Sequence, residues 1–160
     1  EENLENKNFE RKKLVGANFS GADLSLSNFK KAHLSISNFE ESYLFNSNFS
    51  KANLPFSNLE EANLPYSNLS KAKLFESNLS GALISISNIS GANLCYSNLK
   101  GADLSRANLS NTNLIEAVIN NAIIDAEAEV EFSEAPKDLK EKYGENIKLM
   151  TIKRKLDKVI

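Results

Sequence analysis

Few residues in this chain could do chemistry, and they are easily named. His33 is the only histidine and Cys95 the only cysteine among 160 residues. A nucleophilic thiol needs a neighbouring base, and a structural zinc site needs several nitrogen or sulfur ligands at set spacings. One of each excludes a metal centre of the usual Cys/His spacing and leaves a catalytic thiol without a partner. Glu40, Glu41, Glu60 and Glu61 form two carboxylate pairs twenty residues apart. Paired carboxylates serve acid/base chemistry when a pocket raises one of their pKa values. Whether such a pocket exists depends on the elements that carry them.

Those elements follow from one period. Every fifth residue from Leu4 to Ile124 is Leu, Phe or Ile, twenty-five positions in succession. Two positions before the centres the residue is small from Ala17 onward, as at Ala17, Ala22, Ser27, Ala32 and Ser37, with charge there only before Ala17. One position before, it is usually Asn. The two positions after are variable and mostly polar. In an α-helix five residues advance about 500°, so successive centres would drift around the surface. In a flat strand an odd period alternates faces. One shared core therefore requires short extended segments joined by corners of constant sense, a chain coiled around its own apolar axis.

The charged residues set the size of the coil. The second residue after alternate centres reads Arg11, Gly21, Lys31, Glu41, Lys51, Glu61, Lys71, Gly81, so like charges recur at twenty. Four sides of five residues put Lys30, Lys31, Lys51 and Lys71 in one column and Glu40, Glu41, Glu60 and Glu61 in the opposite one. The other two sides carry apolar columns, Leu26, Phe45, Tyr66 and Ile86 on one and Ile36, Phe56, Phe75 and Tyr96 on the other. Inside, Phe9, Phe29 and Phe49 face Phe19 and Phe39, with Leu beyond. An inward Ser, as in the Ser27, Ser47, Ser67, Ser87 column, must bond backbone or a neighbouring Ser, because an unsatisfied buried hydroxyl costs about 1 to 3 kcal/mol. The Asn residues read as turn and ladder residues.

The stretches "GADLS", "GANLC" and "KANLP" resemble the A(D/N)Lxx consensus of the pentapeptide-repeat proteins. The resemblance covers roughly residues 14 to 124. It implies an all-β solenoid, a right-handed quadrilateral parallel β-helix of about six twenty-residue coils, with the centre and the small residue pointing inward. It also implies that a homodimer, where one forms, uses C-terminal helices.

The ends depart from the pattern. Glu2, Lys7 and Lys12 occupy the small-residue position, so residues 1–13 are expected to form an irregular cap before the β-helix of 14–124. Residues 125–160 are expected to add a strand and a short α-helical cap. "IDAEAEVEF" alternates apolar and acidic residues as an edge strand does. Ser133 is a suitable N-cap, Pro136 fits the first turn and Gly144 is a stop. Beyond it, Leu149, Ile152, Leu156 and Val159 form a helical stripe among Lys148, Lys153, Arg154, Lys155 and Lys158. This tail is either a lid on the solenoid or a partner-binding and dimerisation helix.

With that architecture the chemistry thins out. His33 stands in the Asn position, where a surface ring is expected, and Cys95 follows Leu94 and is expected to point outward as an inert thiol. The glutamates would lie on a flat side without a pocket. No phosphate loop or dinucleotide fingerprint occurs, so no cofactor is expected. What remains is a non-enzymatic protein-binding module or scaffold with an unknown protein partner, its apolar columns the candidate interaction surface. The alternative implied by the resemblance is a DNA mimic that binds a type II topoisomerase, DNA gyrase, and protects against quinolones. The net charge of -2 and the basic column depart from that pattern. Ice binding would want a regular Thr array, and Thr112 and Thr151 are the only threonines. Nucleic acid is not expected on the Lys column, which lacks interleaved aromatics. No stretch has membrane-spanning length, and a single cysteine fits a reducing, cytoplasmic setting.

Overall fold

The computed structural model describes residues 3–124. Glu2 and the expected C-terminal strand, helical cap and basic tail lie outside the described residues. The rest is built from the period. Each residue one before a centre makes a parallel bridge to the residue twenty later, from Asn3 with Asp23 through Asp103 with Ile123. Main-chain bonds alternate accordingly: Leu24 N donates to Tyr43 O at 2.7 Å, and Tyr43 N donates to Ala22 O at 2.9 Å. We name the four sides by their centres: side A holds Leu24 and Leu44, side B Phe29 and Phe49, side C Leu34 and Leu54, side D Phe39 and Leu59.

The corners are β-turns of one kind. The N–H two before a centre closes back on the preceding centre, as Ala22 N does on Phe19 O at 3.1 Å. The second of the two residues between them takes a positive φ, for example 58° at Lys31, 60° at Ile36 and 65° at Gly21. A closing bond with positive φ at the third turn position is the signature of type II, which also favours proline second. Pro55 and Pro65 stand there.

The core is a double ladder. Phe9, Phe29 and Phe49 stack with ring centroids 4.8 and 4.7 Å apart, and Phe19 on Phe39 at 5.0 Å. The two stacks meet across the axis edge to face, Phe29 and Phe39 at 5.6 Å, so two side chains fill the width of the rod. Leu and Ile continue the ladder beyond Phe49, buried with the Ala of sides A and C. Inward serines bond as their burial requires: Ser37 Oγ donates to Leu34 O at 2.6 Å and Ser57 Oγ to Leu54 O at 2.7 Å. Ser67 and Ser87 hydroxyls lie 3.4 Å apart, and both donate to Leu64 O. Asn fills both expected roles. Its Oδ1 accepts the N–H two residues on, as Asn28 does from Lys30, and its Nδ2 donates to the Asn of the preceding coil, as Asn98 does to Asn78 Oδ1 at 3.1 Å.

The N-terminal cap is not irregular in its backbone. Residues 3–13 already bridge the second coil, with Leu4 N on Asp23 O and Phe9 N on Asn28 O, both at 2.7 Å. Lys7 and Lys12 do occupy inward positions, yet both are exposed. No described coil lies beneath them, so a long side chain can leave through the open end while the main-chain ladder stays intact.

Candidate protein-binding corners

The variable residues are the second and third of each turn, so the columns expected on flat sides stand at corners. The basic column of Lys30, Lys31, Lys51 and Lys71 lines the corner between sides B and C. The acidic column of Glu40, Glu41, Glu60 and Glu61 lines the opposite corner, between D and A. Leu26, Phe45, Tyr66 and Ile86 line the corner between A and B; Ile36, Phe56, Phe75 and Tyr96 line the one between C and D. Each flat side shows only one outward residue per coil, the one preceding the centre.

The structure brings both apolar columns into contact along the rod. Phe45 and Tyr66 pack edge to face at 5.6 Å. Phe56, Phe75 and Tyr96 form a run of edge-to-face rings, each step 5.7 Å. Ile36 is 65% exposed and Tyr96 56%, whereas Phe75 is half-buried between its neighbours. The columns are also longer than the sequence reading had them. Val15 and Ile115 extend the C/D column, so every coil contributes an apolar group there, and exposed Tyr43 and Leu83 widen the A/B column onto side A. Reading the residue before each centre in steps of twenty would have found the latter pair.

Six of the eight column residues have positive φ: Leu26, Ile36, Phe56, Tyr66, Ile86 and Tyr96, between 58° and 62°. That conformation suits Gly and Asn and opposes side chains with a branched or bulky Cβ substituent. The same turn position holds Gly81, Gly91 and Gly101 elsewhere. Large apolar groups therefore stand at positions that favour them neither by backbone nor by burial.

The groups that could do chemistry are disposed otherwise. Cys95 is buried, at 9% exposure, rather than outward as expected. The larger Phe75 and Ile115 stand one coil to either side in its column, and a small side chain between them loses its access to solvent. His33 is exposed on side C, in a column with Lys13 and Lys73. Glu40 and Glu60 accept from the Nδ2 of Asn58 and Asn78, at 3.4 and 3.0 Å, so both are tied into the Asn ladder of side D. Above Glu60 and Glu61, where Gly81 and Gly101 lack side chains, lies a shallow open depression also lined by Ser80, Asn98, Lys100 and Asn121. Among the described residues no three His, Cys, Asp or Glu side chains gather as metal ligands, and no helix is long and apolar enough to cross a membrane.

A family model of Pentapeptide repeats matches residues 3–30, 22–55, 42–81 and 87–124, with 8 copies. Comparison with curated protein sequences finds no significant match. Among solved structures, HetL, a pentapeptide repeat protein involved in heterocyst differentiation regulation from the cyanobacterium Nostoc sp. strain PCC 7120, is 26% identical. That match covers 75% of this chain and 62% of HetL, with a TM-score of 0.46. Rfr23 from the cyanobacterium Cyanothece 51142 is 25% identical over 74% of this chain and 91% of its own, with a TM-score of 0.41. A structure of QnrB1, a plasmid-mediated fluoroquinolone resistance protein, is 16% identical over 81% of this chain and 88% of its own, with a TM-score of 0.45. The five-residue period, the four-sided coil and the match of the family model along most of that coil agree: this chain belongs to the pentapeptide-repeat family, whose fold is the right-handed quadrilateral β-helix.

Proposed function

We propose that the protein is a non-enzymatic protein-binding scaffold whose partner docks on the C/D corner. The observation that carries this reading is the run of apolar groups there, one from every coil and most of them exposed. Contiguous exposed apolar surface is a recurrent mark of protein interfaces, and aromatic side chains supply the anchors of such contacts.

The test is capture of partners from the native organism by the full chain and by a Phe56→Glu, Tyr96→Glu variant. Glu76 and Glu116 already occupy equivalent turn positions of the same corner with φ of 51° and 55°, so the backbone accepts the change. A partner lost by the variant supports the reading; an unchanged set clears this corner of a role. The second reading, gyrase binding by DNA mimicry, rests on the acidic corner alone, and the opposite corner is basic. A supercoiling assay with purified gyrase decides it: stoichiometric inhibition supports mimicry, and no effect at large excess removes it.

A further inference from the structure

Two opposite faces of the rod carry opposite charge. Side C borders the Lys corner and presents Lys13, His33 and Lys73 outward; side A borders the Glu corner and presents Asp23, Tyr43, Leu83 and Asp103. Sides B and D share the same two charged corners, but their outward residues are asparagines, apart from Val118. Charge therefore extends from a corner across a face only on C and on A. None of Lys13, Lys31, Lys51, Lys71 and Lys73 pairs with a carboxylate among the described residues.

We propose that copies of this chain associate laterally, side C of one rod against side A of the next, with the two rods antiparallel. Orientation decides which corners meet. With the rods parallel, the Lys corner would face the apolar A/B corner, and the apolar C/D corner would face the glutamates. Turning one rod end over end about the normal to the joined faces exchanges its two edges, so that the Lys corner meets the Glu corner and the two apolar corners meet each other. Cations on side C then also face carboxylates on side A. Complementarity of this kind fixes register and suppresses wrong pairings.

The spacing of the columns agrees. Height along the rod rises by about 4.8 Å for every coil, and a register that sets Lys31 against Glu61 of the second copy also sets Lys51 against its Glu41. The same register leaves Lys73 and Asp23 of the second copy about 1 Å apart in height. On the other edge, Ile36 falls between Phe45 and Tyr66 of the second copy, and Phe56 between its Leu26 and Phe45, so the apolar groups interleave. Because sides C and A are different surfaces, the contact is heterologous, and each copy keeps a face free for the next. Such a contact propagates rather than closing into a dimer. A face about 29 Å long and one side wide lies at the small end of specific interfaces. Association therefore belongs to concentrations above those at which partners are captured; it goes beyond the C/D reading and does not rest on it.

Sedimentation of the full chain across a concentration series tests the proposal. The expected result is a weight-average mass that climbs past the dimer as concentration rises. Lys31→Glu, Lys51→Glu should abolish the climb, and so should Glu41→Lys, Glu61→Lys. The two variants mixed in equal amounts should restore it, since each then meets a complementary edge on the other. The turns accept both changes, because Lys51 and Glu61 stand at equivalent turn positions with φ of 59° and 54°. Carbodiimide coupling of the unaltered oligomer should join Lys31 to Glu61 and Lys51 to Glu41, pairs on opposite corners of one rod that can meet only between rods. A mass that stays at the monomer or levels off at the dimer, a mixture that fails to associate, or coupling that leaves these pairs unlinked would overturn the lateral contact. None of these results alters the capture test of the C/D corner.

Discussion

Ser47 is the one inward serine whose buried hydroxyl has no hydrogen-bond partner among the described residues. Its neighbours in the column donate to carbonyls of the centres: Ser27 to Leu4 O at 2.9 Å and Ser67 to Leu64 O at 2.6 Å. A bonded buried hydroxyl contributes about 1 kcal/mol, whereas an unsatisfied one carries a desolvation penalty. Ser37→Ala should therefore lower unfolding stability by about 1 kcal/mol, and Ser47→Ala should be neutral or stabilising, as chemical denaturation will show. Asp23 gives a pH counterpart. The Ser25 hydroxyl, and then the Ser25 N–H, hold its carboxyl below the ordinary value. A depressed carboxylate stabilises the fold above its unfolded pKa and loses that contribution as pH falls through the folded one. Asp23→Asn, which keeps the turn acceptor, should flatten the stability profile below about pH 4 and change little near neutrality. The inward serines and turn asparagines were legible in the sequence because burial and turn geometry leave them few partners. Cys95 was not, since its cover comes from residues twenty positions away on either side.

Corners carry the information that the period left out. Five residues per side dictate a turn at each corner, but not its type. The left-handed third position showed only indirectly, in Gly16, Gly21, Gly81, Gly91 and Gly101 and in Pro55 and Pro65 one place earlier. At Gly81 a Cβ would stand 3.2 Å from Glu61 Cγ, whereas at Gly21 nothing lies within 4 Å. Both positions have positive φ, so Gly→Ala should destabilise each by about 1 kcal/mol, with Gly81→Ala losing more unless the Glu61 side chain swings aside. The converse holds at Ile36, a β-branched residue at φ 60°. Ile36→Asn should raise the denaturation midpoint, because Asn tolerates the left-handed region and the exposed Ile side chain contributes little burial. A midpoint that falls would show that the corner residue packs for stability rather than for a partner.

At the scale of the molecule, the rod was legible almost entirely, because one repeat states the inward residues, the coil length and the order of the columns. Its surface was legible as four columns but not as an arrangement. The sequence could not show that these columns stand at turn corners rather than on flat sides, or that Phe56, Phe75 and Tyr96 touch. These follow from where each turn directs its two outer residues. Function enters at the same scale, since neither a pocket of depth nor a gathered set of reactive groups occurs among the described residues, while two apolar columns run along the rod. The most direct measurement places a photoreactive benzoylphenylalanine singly at Phe56, at Lys51 and at Glu61 of the full chain and cross-links each in extracts of the native organism. A protein adduct at position 56, absent or much weaker at 51 and 61, is the expected result. Equal labelling at all three positions, or none at 56, would contradict a partner seated on the apolar corner.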